Sequence, residues 1–263
     1  MHYKREYGTR IAVWGSPFDV PAGKYTDEHD GLHPAGHRSI MESGLIDLCL
    51  TYYPPEGIEI YYRQWTDIFG IPICSLPFAA DTAAFRPCAP VEKYRSALCF
   101  IGGIHRTKQR PFDTYIRPLL DRHRLISVGN GWEGWPVTRM SIPYGEESTL
   151  ISSAALTPNV HMDLSREIPF MPPNMRTFQS VAGGGFVLSD NVPALRNYFH
   201  EDEVPIGETP EDYAQKIDYL MNHPEARYQY WSKAYRRVMA EHTCIHRAET
   251  LLEALPASVG EEV

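Results

Sequence analysis

The sequence predicts an α/β protein built of two parallel-sheet units in tandem. Three observations carry that expectation. Short apolar runs of strand length alternate with helix-period stretches, the pattern of strand–helix–strand crossovers that cover both faces of a parallel sheet. The 263 residues suffice for one large domain or two modest ones, each with its own core. An aperiodic stretch with two prolines, FRPCAPVEKY at Phe85–Tyr94, reads as a linker between a shorter alternation and a longer one.

In the first alternation, Ile11–Trp14 is a brief strand, followed by a long polar loop from Gly15 to about Arg38. Ile46–Leu50 is a second run, Gly57–Phe69 has helical spacing, and Ile73–Pro77 is a third strand. The second alternation places strands at Ala97–Ile101, Leu125–Val128, Thr138–Ile142, Ala155–His161 and Gly185–Ser189. Helices fit between them at Asp113–Arg122, Glu146–Ser153 and Met175–Ala182. The tail is helical. Thr209 is an N-cap with Pro210 at the first helical position, and Tyr213, Ile217, Leu220 and Met221 form one apolar stripe. Asn222-His223-Pro224 breaks the helix, Glu225–Glu241 resumes it, and Cys244–Leu255 closes the chain. The expected domains are therefore 1–90 and 91–263.

Composition narrows the class. Apolar residues make up 43% and charged residues 22%, which excludes wholesale disorder. With 25 basic against 33 acidic residues, a net of −8, the whole surface does not suit nucleic acid or an anionic membrane, although a local basic cleft does. No apolar run approaches the ~18 residues of a membrane span, and MHYKREYGTR lacks the apolar core of a signal peptide. Five scattered cysteines without a C-x-x-C read as reduced thiols, so a cytoplasmic protein is expected.

The clearest local signal is charge. Lys93, Arg95, Arg106, Lys108, Arg110, Arg117, Arg122 and Arg124 face only Asp113 and Asp121, a local excess of six positive charges. At the centre, IGGIHRTKQRP, a strand ends in Gly102-Gly103, and Arg106, Lys108 and Arg110 follow at alternate positions. Glycines let a backbone approach a ligand closely, and the cations suit a diphosphate. The competing reading is a glycine turn before a solvated basic face. The segment is neither a Walker loop nor a G-x-G-x-x-G.

A second glycine turn, SVGNGWEGWP, sets Gly129, Asn130, Gly131 and Trp132 at a strand end, where open α/β sheets bind ligands. Its indoles either cover a base or sugar or pin the loop from the core. In PPNMRTFQSVAGGGFVLSD, Asn174 is a good N-cap and Gly183-Gly184-Gly185 ends the helix. Arg176 opposes the helix dipole in the first turn, as an anion contact or as the partner of a neighbouring carboxylate.

The loop TDEHDGLHPAGHRS gathers His29, His33 and His37 with Asp27, Glu28 and Asp30. The H-x-x-x-H-x-x-x-H spacing would align three imidazoles for zinc on a helix, but Gly31, Pro34 and Gly36 forbid that helix. No metal site is expected. One His or Asp acting as a general base is the functional reading, and a solvated loop the plain one. His242 and His246, one turn apart, read as cap and packing, with Arg247 reaching a carboxylate. No nucleophile elbow or Cys-His pairing stands out.

From about residue 97 onward, six ordered segments resemble the donor-binding half of GT-B glycosyltransferases, especially the CgeB-like, group 1 type. They are FIGGIHR, VGNGW, NMRTFQSVAGGG, FVLSDNVPALRNYF, NHPEAR and HTCIHR. Upstream, IAVWGSPFD and LPFAADTAAFRP are similar to parts of the amino-terminal domain. The resemblance implies two Rossmann-like units, the first shortened, and a nucleotide-sugar donor bound by the second without metal or other cofactor. Arg106 and Lys108 would face the diphosphate and the Gly129–Trp132 turn would lie near the base. Asn174 and Arg176 would sit at phosphate and sugar, with Gly184 and its neighbours shaping the floor. Gln179 stands where the family usually has a glutamate that holds the ribose; it keeps hydrogen bonds and loses the charge. About 90 residues precede the basic island, so the protein is a minimal enzyme, or a second copy or partner subunit completes the acceptor side.

The function expected is transfer of a sugar from a nucleotide-diphosphate sugar to an acceptor. Asp19, His29, His33 and His37 are the candidates for the base that deprotonates it. The acceptor is left open between a small molecule, a glycan and a modified base in DNA; a non-catalytic sugar-nucleotide-binding subunit is the other alternative.

Overall fold

The two stretches of alternation form two separate parallel sheets, one of three strands and one of six. The computed structural model describes residues 2–15, 40, 42–163 and 170–255. Contacts divide the chain into one unit of Met1–Pro77 with Arg247–Val263 and another of Phe78–His246.

In the first unit, after the short helix α1 (His2–Tyr7), strands β1 (Ala12–Trp14), β2 (Leu48–Thr51) and β3 (Ile73–Ser75) pair in parallel in that order. The β2-to-β3 crossover is two short helices, α2 (Pro55–Tyr61) and α3 (Arg63–Phe69), where the spacing predicted one. They part at Tyr62. That side chain is buried, and its hydroxyl accepts from Thr51 Oγ1 at 2.7 Å and donates to the Gly15 carbonyl at 2.9 Å. Anchoring Tyr62 to the carboxyl edge of the sheet fixes the bend between the helices.

The terminal helix, Cys244–Ala254, departs from the expected boundary. Its Leu251 and Ala254, with the following Leu255, pack on Leu48, Leu50, Cys74 and Leu76. All four residues of β2 are buried and need apolar cover, and the tail supplies part of it. The tail thus closes the core of the first unit instead of extending the second. Arg247, expected to meet a carboxylate, donates from Nε to the Pro77 carbonyl at 2.7 Å.

In the second unit, six strands are ordered β6-β5-β4-β7-β8-β9: β4 (Ser96–Ile101), β5 (Leu125–Val128), β6 (Thr138–Arg139), β7 (Ala154–Asn159), β8 (Val187–Asp190) and β9 (Ile206–Gly207). Crossovers carry α4 (Arg106–Tyr115), α5 (Glu147–Ser153) and α6 (Met175–Ala182); α7 (Pro210–Met221) and α8 (Pro224–Glu241) follow. The caps read from sequence are present. Asn174 accepts from the Thr177 amide, and Thr209 from the Asp212 amide. β6 is two residues long, not five: the Met140 amide still donates to the Ser127 carbonyl of β5 at 2.9 Å, and beyond it the chain turns away, with Met140–Ile142 lining a cleft.

The segment read as a linker is part of this unit's core. Phe85 and Val91 pack on Tyr94, Cys99, Leu150 and Ile151. Three serines of α5 bind its backbone: the amides of Arg86, Cys88 and Val91 donate to Ser148, Ser152 and Ser153 at 3.2, 3.0 and 3.0 Å. Two prolines make the segment aperiodic without making it loose, because side chains replace the missing backbone partners. Ser152 also donates to the Gly183 carbonyl at 2.8 Å, tying the segment to the end of α6. Ser152→Ala should therefore lower stability by about 1–3 kcal/mol, since it orphans two backbone groups. Urea unfolding followed by far-ultraviolet circular dichroism measures this; an unchanged midpoint would refute the bracing role.

Candidate functional site

Strand order locates the site. From β4 the sheet extends through β5 and β6 on one side, and through β7, β8 and β9 on the other, so the order reverses between β4 and β7. Open parallel sheets bind ligands at the carboxyl ends of the strands beside such a reversal.

β4 ends at Gly102-Gly103, and α4 starts at Arg106, seven residues earlier than the sequence predicted and straight through Pro111. Arg106, Lys108 and Arg110 are therefore not alternate positions of a loop. At about 3.6 residues per turn, Arg106 and Arg110 share one face and Lys108 lies on the opposite one. Arg106 and Arg110 are exposed, and Arg110 pairs with Asp163 at 2.9 Å. Lys108 is half-buried. Burial pulls its amine from 10.5 down to about 8, and the charge of Arg176 pushes the same way.

Arg176 comes from the first turn of α6, behind β7. Its guanidinium lies 4.0 Å over the Phe100 ring, and its terminal nitrogen donates to Asn159 Oδ1 at 3.1 Å and the Val160 carbonyl at 3.0 Å. Its Nε is buried with no protein partner, and burial pulls the guanidinium down to about 10, against the pull of Asp190. The alternative of a direct ion pair with a carboxylate is not realised among the described residues.

A buried polar bracket holds Arg176 and its helix. Asn159 donates to Thr177 Oγ1 at 2.9 Å and Ser189 Oγ at 3.0 Å, while its oxygen accepts from Arg176 and from Asn174 Nδ2 at 3.0 Å. Asp190 holds His161 at Nδ1 (2.6 Å) and at the backbone amide (3.0 Å). His161 Nε2 accepts from the Asn174 amide at 3.2 Å, a pattern that fixes the proton on Nδ1. Asn159, His161 and Asp190 were not singled out from sequence. The available signal was polar residues closing apolar strands, TPNVH and VLSDN.

The two glycine turns pack directly on each other. They press backbone against backbone. A Cβ on Gly129 would stand 2.7 Å from the Gly102 carbonyl, and one on Gly131 (φ +84°) 1.9 Å from the Ile104 carbonyl oxygen. The Ile104 amide donates to Asn130 at 2.9 Å, and Trp132 Nε1 donates to the Gly102 carbonyl at 2.9 Å. Trp132 is fully buried against Phe100, Phe112 and Trp135, which fits the core reading of its two. Gly184 likewise answers to packing: a Cβ there would meet Ser152 Oγ at 2.5 Å and Pro87 at 3.2 Å. Gln179 is half-buried, three residues after Arg176 on the same side of α6.

Beside these turns lies a cleft of about 570 Å³ lined by Val128–Asn130 and Arg139–Ile142. Most of the rest of the basic island is neutralised, although Arg124 bonds only the Thr138 hydroxyl, at 3.4 Å. Lys93, Arg95, Arg117 and Arg122 pair with Glu146, Glu92, Asp113 and Asp218 at 2.8, 2.6, 2.7 and 3.0 Å. Arg106, Lys108 and Arg124 keep no ion pair among the described residues. The candidate bases Asp19, His29, His33 and His37 lie outside the described residues. His242 is buried and bonds the Tyr198 carbonyl at 3.2 Å, and His246 bonds Thr243 at 2.7 Å, as a cap and packing pair. Among the described residues, no three His, Cys, Asp or Glu side chains gather, and no helix is long and apolar enough to cross a membrane.

Two parallel Rossmann-like units, the second with two cations without carboxylate partners, Lys108 and Arg176, beside its strand reversal, define the fold of a GT-B glycosyltransferase. A family model described as glycosyl transferase-like matches residues 108–253, and the chain belongs to that family. Among solved structures, sucrose-phosphate synthase from Thermosynechococcus elongatus matches with TM-score 0.61 at 14% identity, over 96% of this chain and 68% of that one. HepE from Anabaena, solved with UDP-glucose, matches at 0.63 and 10% identity, over 95% and 74%. TarM from S. aureus, solved with UDP and α-GlcNAc-glycerol, matches at 0.57 and 11%, over 86% and 48%. No curated protein matches.

Lys108 gives the site a testable signature. A half-buried cation without a carboxylate costs stability, so Lys108→Met should raise the stability of the ligand-free protein by about 0.5–2 kcal/mol. Thermal unfolding in buffer alone checks it. A fall in Tm would show that Lys108 serves the fold.

Proposed function

We propose that the protein transfers a sugar from a nucleotide-diphosphate sugar to an acceptor hydroxyl, with the donor held by the second unit and no metal required. One observation carries this reading. α4 and α6 start behind the adjacent strands β4 and β7, and both lack acids in the first turn, where they bear Lys108 and Arg176 instead. Two helix amino ends and two cations without carboxylates suit an anion of more than one charge. Charge builds on the diphosphate as the glycosidic bond breaks. Preset cations and dipoles favour that state over the intact donor.

The remaining parts fit the rest of such a donor. The cleft at Gly129-Asn130 and Met140–Ile142 has room for the nucleoside end, and Gln179 offers neutral hydrogen bonds for ribose. The UDP ligands of HepE and TarM support a nucleoside diphosphate as the leaving group. Asp19, His29, His33 and His37 are the proposed source of the base. Neutralised cations across the island weigh against a duplex-DNA acceptor gripped through phosphates.

Thermal shift against UDP, GDP, dTDP and CDP should show stabilisation by at least one, about 2.7 kcal/mol at a hundredfold excess over Kd, undiminished by EDTA. Stabilisation only with Mg²⁺ or Mn²⁺ would overturn the metal-independent reading. Arg176→Ala should weaken the diphosphate roughly tenfold to a hundredfold, as expected for a charged hydrogen bond worth ~1.5–3 kcal/mol, and the bare nucleoside hardly at all. Arg106→Ala, at an exposed position, should cost less than about threefold; a loss as large as that of Arg176→Ala would bring Arg106 into the site. Gln179→Glu should be tolerated and tighten the donor.

Protonated Lys108 attracts the diphosphate and its neutral amine does not. Affinity should therefore hold below pH 8 and fall as pH rises through about 8. Calorimetry across pH 6.5–9.5 (a range of about three units around that value) reads the decline, which Lys108→Met should abolish. A pH-independent affinity in the wild type would remove Lys108 from the site.

A further inference from the structure

Arg176 is held by Asn159, and the chemistry of that side chain has a consequence for charge. Asn159 is buried at the end of β7, where its Oδ1 accepts from Arg176 Nη2 at 3.1 Å and from Asn174 Nδ2 at 3.0 Å. Its Nδ2 donates to the hydroxyls of Thr177 and Ser189 at 2.9 and 3.0 Å. Hydrogen bonding alone does not call for an amide there. An aspartate has the same shape, the two hydroxyls can turn to donate to it, and a carboxylate would bond the guanidinium more strongly. What an acid would take is charge, by forming an ion pair with Arg176. Asp190, whose field reaches Arg176, bonds the ring and backbone amide of His161 instead of the guanidinium. The remaining nitrogens of Arg176 are uncommitted. Nη1 lies at the end of β4, 3.3 Å from where a Cβ on Gly102 would stand, and Nε is buried with no hydrogen-bond partner among the described residues.

We propose that Asn159 is a positioning residue of the donor site, an amide that orients Arg176 through hydrogen bonds and leaves its positive charge for the diphosphate; this rests on the donor reading above. A guanidinium buried against a carboxylate is a neutral pair, and its attraction for a second anion is largely spent. Neutral acceptors fix direction without cancelling charge. The Val160 carbonyl, 3.0 Å from the same Nη2, is the second of them. Lys108, near enough for the charge of Arg176 to act on it, adds another cation without a carboxylate.

Calorimetry on the full chain with UDP, GDP, dTDP and CDP, the matching nucleosides and inorganic pyrophosphate tests the proposal. Asn159→Asp keeps the shape and takes the charge, whereas Asn159→Ser loses the hold and adds no charge. A merely structural asparagine would make the aspartate the milder change. The reverse order is expected here. Asn159→Asp should weaken the diphosphate roughly tenfold to a hundredfold, and Asn159→Ser about threefold to tenfold. The bare nucleoside should hardly distinguish the variants, and the serine loss should vanish in an Arg176→Ala background. An aspartate milder than the serine, equal losses for nucleoside and diphosphate, or a serine loss that persists without Arg176 overturns the proposal. Circular dichroism reports folding; should the aspartate variant not fold, the serine cycle decides alone. Pyrophosphate separates the two readings. If it binds with this dependence on Asn159 and no nucleoside diphosphate does, the donor assignment fails and Asn159 keeps its role. If nucleoside diphosphates bind and Asn159→Asp changes nothing, the donor reading stands and the positioning role falls. If the wild type binds neither, both fall.

Discussion

Asn159 uses every hydrogen-bonding position of its side chain, and the second unit is organised around that fact. Both amide hydrogens and both oxygen lone pairs are engaged, joining the end of β7 to Ser189 of β8, to the N-cap of α6 and to Arg176. A buried amide so placed is costly to leave half-satisfied, so each partner constrains the others. Asp190 and His161 extend the bracket to the Asn174 backbone. The start of α6 thus has one position, and Arg176 is delivered to the strand reversal by a network rather than by its own contacts alone.

The opposite wall is made without polar side chains. Gly129 and Gly131 let one turn lie directly on the other, where any Cβ would collide with backbone. Trp132 then seals the pair from below, filling the core with Phe100 and Phe112 and donating to Gly102. Phe100 links the two walls, because its ring also carries the Arg176 guanidinium. A rigid floor of packed glycine turns and a rigid wall of hydrogen bonds leave little for a ligand to reorganise, which is what electrostatic stabilisation of a developing charge requires.

Much of this was legible in the sequence, and the exceptions have physical causes. Strands such as Leu125–Val128 and capped helices such as Met175–Ala182 and Pro210–Met221 were readable because apolar period and cap chemistry are local. α4 was misplaced because Pro111 signals a break, although in the second turn it forfeits only one hydrogen bond. The segment around Pro87 and Pro90 read as a linker because its partners, the serines of α5, lie about 60 residues away. The glycine turns were recognised as special, but sequence cannot say whether a glycine makes room for a ligand or for another turn. Asn159, His161 and Asp190 were invisible to motif reading because their chemistry arises from strands far apart in the chain.

Charge shows how an acidic protein makes a positive site. Most cations of the basic island are neutralised one by one by carboxylates, so their excess is no broad patch. Lys108 within the island and Arg176 outside it have no carboxylate partner among the described residues, and both are pulled below their ordinary pKa by burial. For Lys108 the sign is definite. Between about 8 and 10.5 the unfolded chain holds a proton that the folded one has lost, so this group's penalty is full below pH 8 and is relieved as pH rises. At neutral pH the fold therefore keeps a charge that works against its own stability. An anion bound beside Lys108 would reverse that balance by favouring the protonated amine, so the desolvation that strains the ligand-free protein would strengthen the hold on the proposed diphosphate.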